Sequence, residues 1–221
     1  LRTAQLFNLT TDNVQALTTN QIAVLKTSQL AGLSTTNVQA LTTDQVVALT
    51  STQVSGLTTT ALNALATTQI QAIETGDIAV LRTAQLFILT TDNVHALTTN
   101  QIAVLKTNQL AGLSTTNVQA LTTDQVVALT STQVSGLTTT ALNALTTFQI
   151  QAIETSDIAV LKTSQLFNLT TDNVQALTTD QVVALTSTQI VSLSSRILNA
   201  FTTTQIQAID TTEIRSLKTS Q

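Results

Sequence analysis

Aliphatic residues return along this chain every eight positions and never lose phase. From residue 1 the octads read LRTAQLFN, LTTDNVQA, LTTNQIAV, LKTSQLAG and onward through 27 octads, with LKTSQ left over. Numbering the columns one to eight, column one is Leu except at Ile73, Ile153, Phe201 and Ile209, and column six is Val, Ile or Leu in all 27. These two columns form the expected core. Column three is Thr except at Ser51, Ser131, Ser187 and Ser195, which points to a short hydroxyl that caps backbone. Column eight is small or aliphatic and holds four of the five glycines, Gly32, Gly56, Gly112 and Gly136, as expected where one backbone packs closely on another. Columns two, four, five and seven vary, chiefly among Thr, Gln, Asn, Asp, Ser, Lys and Glu, and read as the solvated face.

Two secondary structures satisfy these columns. In the helical reading the column-three Thr is the N-cap, columns four to eight make about one and a half turns, and column six lies on one stripe with the next octad's Leu. Asp12, Asp44, Asp92, Asp124, Asp172 and Asp180, in column four, then fall in the first turn, where the helix dipole favours an anion. With column two as the cap the octad becomes a capping box with Gln at N3, although Lys, Arg and Glu in column two weigh against that variant. In the strand reading the octads wind into a β-solenoid, but of the glycines only Gly76 stands where a tight corner is needed, and Gln and Ala favour helix. The expectation is an all-α solenoid of very short capped helices, one per octad.

Whole series of octads also repeat. LRTAQLFN at residue 1 returns as LRTAQLFI at 81 and LKTSQLFN at 161, giving series over 1–80, 81–160 and 161–216, with 217–221 opening a fourth. The third series lacks the three octads found at 97–120, without any change of phase, so the octad is the structural unit. Residues 1–221 are expected to form one continuous solenoid. A six-residue helix is unstable alone, since isolated helices below about 12 to 15 residues are marginal. Stability must come from stacking octads, nearest neighbour upon nearest neighbour. The array opens in register and stops five residues into an octad, which suggests a segment of a longer array or edges covered by another copy.

Composition then removes most chemistry. There are 8 Lys plus Arg, 12 Asp plus Glu, one His and no Cys, Met, Pro, Trp or Tyr, for a net charge of −4. No basic patch for nucleic acid exists, and no apolar run approaches the roughly 18 residues of a membrane span. A zinc site or Cys–His nucleophile cannot be built, and His95 takes the column-seven place held by Gln15 and Gln175 in matching octads. Glu74 with Asp77, Glu154 with Asp157 and Asp210 with Glu213 sit three apart, each followed by a column-two cation (Arg82, Lys162, Lys218), and read as a solvated charge ladder. No enzyme activity, cofactor, metal, small-molecule substrate or membrane insertion is expected. Phe7, Phe87 and Phe167 occupy column seven of each opening octad and are the candidate self-association residues. An aromatic at an 80-residue beat suits lateral contact between parallel solenoids, local cover being the other reading.

Two resemblances follow from these motifs. LTTDQVVAL, at 41–49, 121–129 and 177–185, resembles the LTPDQVVAI opening of the transcription-activator-like effector repeat, a DNA reader, without that family's long helix pair or base-reading loop. It is taken as a shared way to start a helix, with no DNA binding implied. The whole chain resembles Thr-, Ala- and Leu-rich repeat regions of large bacterial secreted or surface proteins of the haemagglutinin-like or adhesin-like kind. That similarity implies a non-enzymatic extracellular filament or sheath built from copies of itself. The alternatives are a monomeric adhesin stalk and a threonine-array module for ice or carbohydrate.

Overall fold

The structure, a computed structural model, describes residues 3–219. One helix of four to six residues forms in every octad, from α1 (Thr3–Phe7) to α27 (Thr211–Ser216), and no strand occurs among the described residues. The all-helical expectation holds.

The cap, however, lies one column earlier than column three. Thr10, Thr18, Thr42 and their equivalents in column two have extended backbone, with ψ of 158 to 160°, and the side-chain oxygen accepts from the column-five N–H. Column three is therefore the first helical residue. Where column two carries no hydroxyl the column-five Gln still supports the helix start, its Oε1 accepting from the backbone N–H of Lys26, Ala66, Arg82 and Lys106 at 2.6 to 2.8 Å, and beside the cations the column-five N–H turns to the column-two carbonyl at 2.8 to 2.9 Å. Where column five is Asn or Ala it cannot reach back in this way, and column two is always Thr or Ser, except next to an acid; Ile197 likewise follows Ser194. Each helix ends because column one and column two are extended: Leu57 has φ −56° and ψ 139°, and the next N-cap follows at once. No described residue adopts positive φ, so the corners need neither Gly nor Pro.

The described chain forms two compact units, 1–120 and 121–221. In the first unit each octad packs on the octad three places on, so that octads 1, 4, 7, 10 and 13 make one stack, 2, 5, 8, 11 and 14 a second, and 3, 6, 9, 12 and 15 a third. The second unit is built the same way, from octads 16, 19, 22 and 25 and the two stacks beside them. A coil is thus three octads. The three octads missing from the third series amount to one whole coil, and their loss leaves every later octad on the face it would have occupied. Column six fills the interior, with Leu6, Val14, Ile22, Val54, Leu86 and Ile102 fully buried, and column one seals it. Burial of such a side chain contributes about 1.5 to 3 kcal/mol.

Column five is not part of the solvated face. Gln45, Gln53, Gln69, Gln101 and Gln181 are buried, and each makes the same bonds to the coil before it. Nε2 of Gln101 donates to Ile70 O at 2.8 Å and Ile73 O at 2.7 Å, while its Oε1 accepts from Thr98 N at 2.8 Å. Gln45 repeats this towards Val14 O and Leu17 O at 2.8 and 2.6 Å, and Gln205 towards Val174 O and Leu177 O at 2.9 and 2.7 Å. One amide therefore caps the start of its own helix and donates to two carbonyls ending a helix of the preceding coil, the first of which also accepts a backbone N–H. Asn in this column, one methylene shorter, reaches only the earlier coil, as when Asn37 Nδ2 donates to Leu9 O at 3.1 Å. Among the described residues no buried side-chain nitrogen or oxygen lacks a partner.

Candidate interaction surfaces

Phe7, Phe87 and Phe167 end the helices Thr3–Phe7, Thr83–Phe87 and Thr163–Phe167. All three are exposed, at 57, 55 and 50%, which rules out the locally covered reading. Phe7 and Phe87 do not share one lateral stripe. Ten octads are three coils plus one octad, so within the first unit Phe87 falls one face on from Phe7. Phe7 stands in the stack of octads 1, 4, 7, 10 and 13, and Phe87 in the neighbouring stack of 2, 5, 8, 11 and 14. Phe87 and Ile88 border an open apolar hollow of about 520 Å³ against Ala111, Gly112 and Leu113 of the next coil. Phe148 in column four and Val24 in column eight, at 73 and 80% exposure, are further apolar residues on the outside that the columns did not single out.

The carboxylate pairs separate by depth. Asp77 and Asp157 occupy column five and are buried, accepting from Ser51 Oγ at 2.5 Å and Ser131 Oγ at 2.6 Å, so these two are not members of a solvated ladder. Glu74 and Glu154 remain exposed in column two. Asp210 caps the helix Thr211–Ser216, and the Thr212 backbone N–H holds its carboxyl below the usual range. Partial burial, seconded by the Asp210 charge, pushes the Glu213 carboxyl up. His95 lies in the last turn of Thr91–Ala96 beside Asp92, Thr67 and Gln71, along an open hollow of about 400 Å³. Among the described residues no three of His, Asp and Glu converge as metal ligands would, and no helix is long and apolar enough to cross a membrane.

Asn13 and Gln21, in the first coil, are exposed, whereas every column-five amide from Asn37 onward is buried. In the second unit Ile206 and Ile214, in column six, are 39 and 43% exposed.

A corner of the coil is spelled by columns eight to five, as in ALTTDQ at 40–45: the small residue, the core Leu, the capping Thr, the first helical Thr, a variable residue and the buried amide. No curated protein matches the chain. A family model described as the ALTTAQ repeat matches residues 1–27, 22–59, 70–107, 103–131 and 150–187, which together span most of the sequence. On that match, and with the corner residues in the roles just described, the chain belongs to the ALTTAQ repeat family.

Proposed function

We propose that this repeat protein is a non-enzymatic structural element whose copies associate into a filament or sheath outside the cell. The observation that carries the reading is the coil-to-coil amide bonding. Each coil offers donors on one side and carbonyls on the other, so the same contact can be repeated without limit along one axis. The exposed Phe7, Phe87 and Phe167 give such an array apolar points on its outside. A chain without Cys or Met suits an oxidising exterior. Cryo-electron microscopy of the native material tests the reading. Long uniform fibres, with layers about 10 Å apart as packed helices require, are the expected result, and surface labelling of intact cells should find them. Isolated rods one chain long would overturn the filament.

A monomeric stalk is the second reading. It is favoured by the placing of Phe7 and Phe87 on different stacks, which denies the first unit a single aromatic stripe for side-by-side packing.

A further inference from the structure

We infer that Phe148 of one copy seats in the hollow beside Phe87 and Ile88 of another, where a carboxylate next to Phe148 meets Arg82 and Lys106. The inference rests on the self-association reading and assigns it one contact. The hollow lies within the first unit, where the octad at 105–112 packs on the octad at 81–88. Phe87 and Ile88 wall it on one coil, and Ala111, Gly112 and Leu113 on the next. Leu113 is left half-buried, whereas column-one residues elsewhere in the unit, such as Leu89 and Leu97, are 5% exposed. Thr83 borders this hollow and also a polar one of about 320 Å³ that holds Arg82, Lys106 and Asn108. Nη2 of Arg82 donates to Leu57 O at 3.2 Å, which steadies the guanidinium there. The helix Thr83–Phe87 thus has two cations by its starting end and an uncovered apolar hollow by its other end.

The knob belongs to the second unit. Phe148 is exposed in column four of the octad at 145–152, which packs between the octads at 121–128 and 169–176, and these carry exposed Asp124 and Asp172 in the same column. The ring therefore stands between two carboxylates along one stack. Comparison of the three series ties knob to hollow. Ile88 takes the place of Asn8 and Asn168, and Phe148 that of Thr68 and Thr204, so only the second series is apolar at both. In the third series Val191 and Ser192 replace Ala111 and Gly112 on the coil over Phe167, and Leu193 there is sealed at 3%. The spacings agree as well. Stacked helices lie about 8 to 10 Å apart, which sets each carboxylate that far from Phe148, and the five residues from Arg82 to Phe87 span about 7.5 Å. With the stack of one copy laid along the helices of the other, a carboxylate comes over the cation pair as the ring enters the hollow. Because Asp124 and Asp172 flank Phe148 on both sides, either direction of crossing serves. Each ring buries about 150 to 250 Å², well below the roughly 1,200 Å² of a stable interface, so the contact is weak and gains strength by repetition along an assembly.

Sedimentation velocity on the 221-residue chain tests the docking. Phe148→Thr and Ile88→Asn use residues that the chain itself places there in its other series, so both variants should fold, with circular dichroism melts like the wild type. The wild-type average mass should rise between roughly 10 µM and 1 mM, and either variant should need at least tenfold more protein for the same rise. Equal association of Phe148→Thr and wild type overturns the docking and leaves self-association standing through another surface. Charge reversal gives the second arm. Arg82→Glu with Lys106→Glu makes both surfaces acidic, and Asp124→Arg with Asp172→Arg makes both basic, so each double variant alone should stay a single chain. An equimolar mixture of the two should regain association, because each supplies the charge the other lacks; a mixture no better than its parts overturns the docking. A wild-type chain that stays single throughout overturns both the docking and the self-association beneath it.

Discussion

Ser51 Oγ donates to Asp77 Oδ1 at 2.5 Å across 26 residues, joining the first helical residue of one octad to column five of the octad stacked on it. Ser131 and Asp157 repeat the bond at 2.6 Å. All three acids in column five, Asp77, Asp157 and Glu213, have Ser rather than Thr 26 residues before them, the third being Ser187, which borders the same hollow as Glu213. A carboxylate has no hydrogen to offer the carbonyls that a Gln amide would reach, so it takes a bond from the coil below instead. Ser51→Ala leaves that buried carboxylate without its donor and should destabilise the first unit by about 1.5 to 3 kcal/mol. Urea unfolding measures the loss. The double variant Ser51→Ala, Asp77→Gln should recover most of it, because Gln can cap Glu74 N–H and rejoin the amide ladder; a double variant no better than the single one would refute this account.

The ladder is the main polar contribution to coil stacking, and Gln101 tests it. Gln101→Ala removes the amide donor from the Ile73 carbonyl, leaves Ile70 O with only the Ile73 N–H, and strands the Thr98 N–H, at a cost of roughly 2 to 4 kcal/mol. Gln101→Glu keeps the acceptor for Thr98 N–H but turns an anion towards two carbonyl oxygens, and should lose more than the alanine. Hydrogen exchange gives the local readout: amides of the octads at 65–80 and 97–104 should lose protection first. An alanine variant as stable as wild type would remove the ladder from the energetics.

The fold class and the core were legible because columns one and six are uniform for reasons internal to one octad. What the octad could not disclose is what lies above and below it. Column five looked polar and hence solvated, yet it holds Gln or Asn in 21 of 27 octads and never Lys, Arg, Ser or Thr, whereas a truly solvated column wanders as columns two and four do. Column three is nearly invariant without being the cap; at Thr27 and Thr83 the side-chain methyl lies under Gly56 and Gly112 of the next coil, so packing between coils accounts for it there. Three octads per coil was present as the difference between a series of ten and one of seven, while the lack of a common divisor concealed it. The face reached by Phe7 and Phe87 follows from the same number, so the 80-residue beat alone did not disclose that they stand on different stacks.

Gly56 has an ordinary backbone, and its missing side chain answers to space alone. A Cβ there would stand 2.0 Å from Thr27 Cγ2. Gly56→Ala gains helix propensity of up to about 1 kcal/mol, but the overlap should outweigh it and leave a net loss of about 1 to 2 kcal/mol, at the lower end of overpacking costs. Thr27→Ser removes the offending methyl, so Gly56→Ala in that background should be neutral or stabilising in thermal melts. The same reversal is expected for Gly112→Ala with Thr83→Ser, where the approach is 1.9 Å.

Two caps that look alike in sequence should differ in worth. Thr42 caps Thr43–Val47 with Gln45 closing the box, so the helix start has a second support at 2.9 Å. Thr58 caps Thr59–Ala64, where column five is Ala61 and the hydroxyl acts alone, accepting from Ala61 N at 3.0 Å. Thr58→Ala should therefore cost about 1 kcal/mol or more, and Thr42→Ala distinctly less. Ala66 supplies the natural control, since it holds the N-cap place above Gln69 and the Gln alone bonds its N–H at 2.7 Å. Equal losses at Thr42 and Thr58 in urea unfolding would show that the glutamine amide serves only the coil beneath it; a loss at Thr58 alone, restored by Ala61→Gln, would show that one side chain closes its own helix and its neighbour's together.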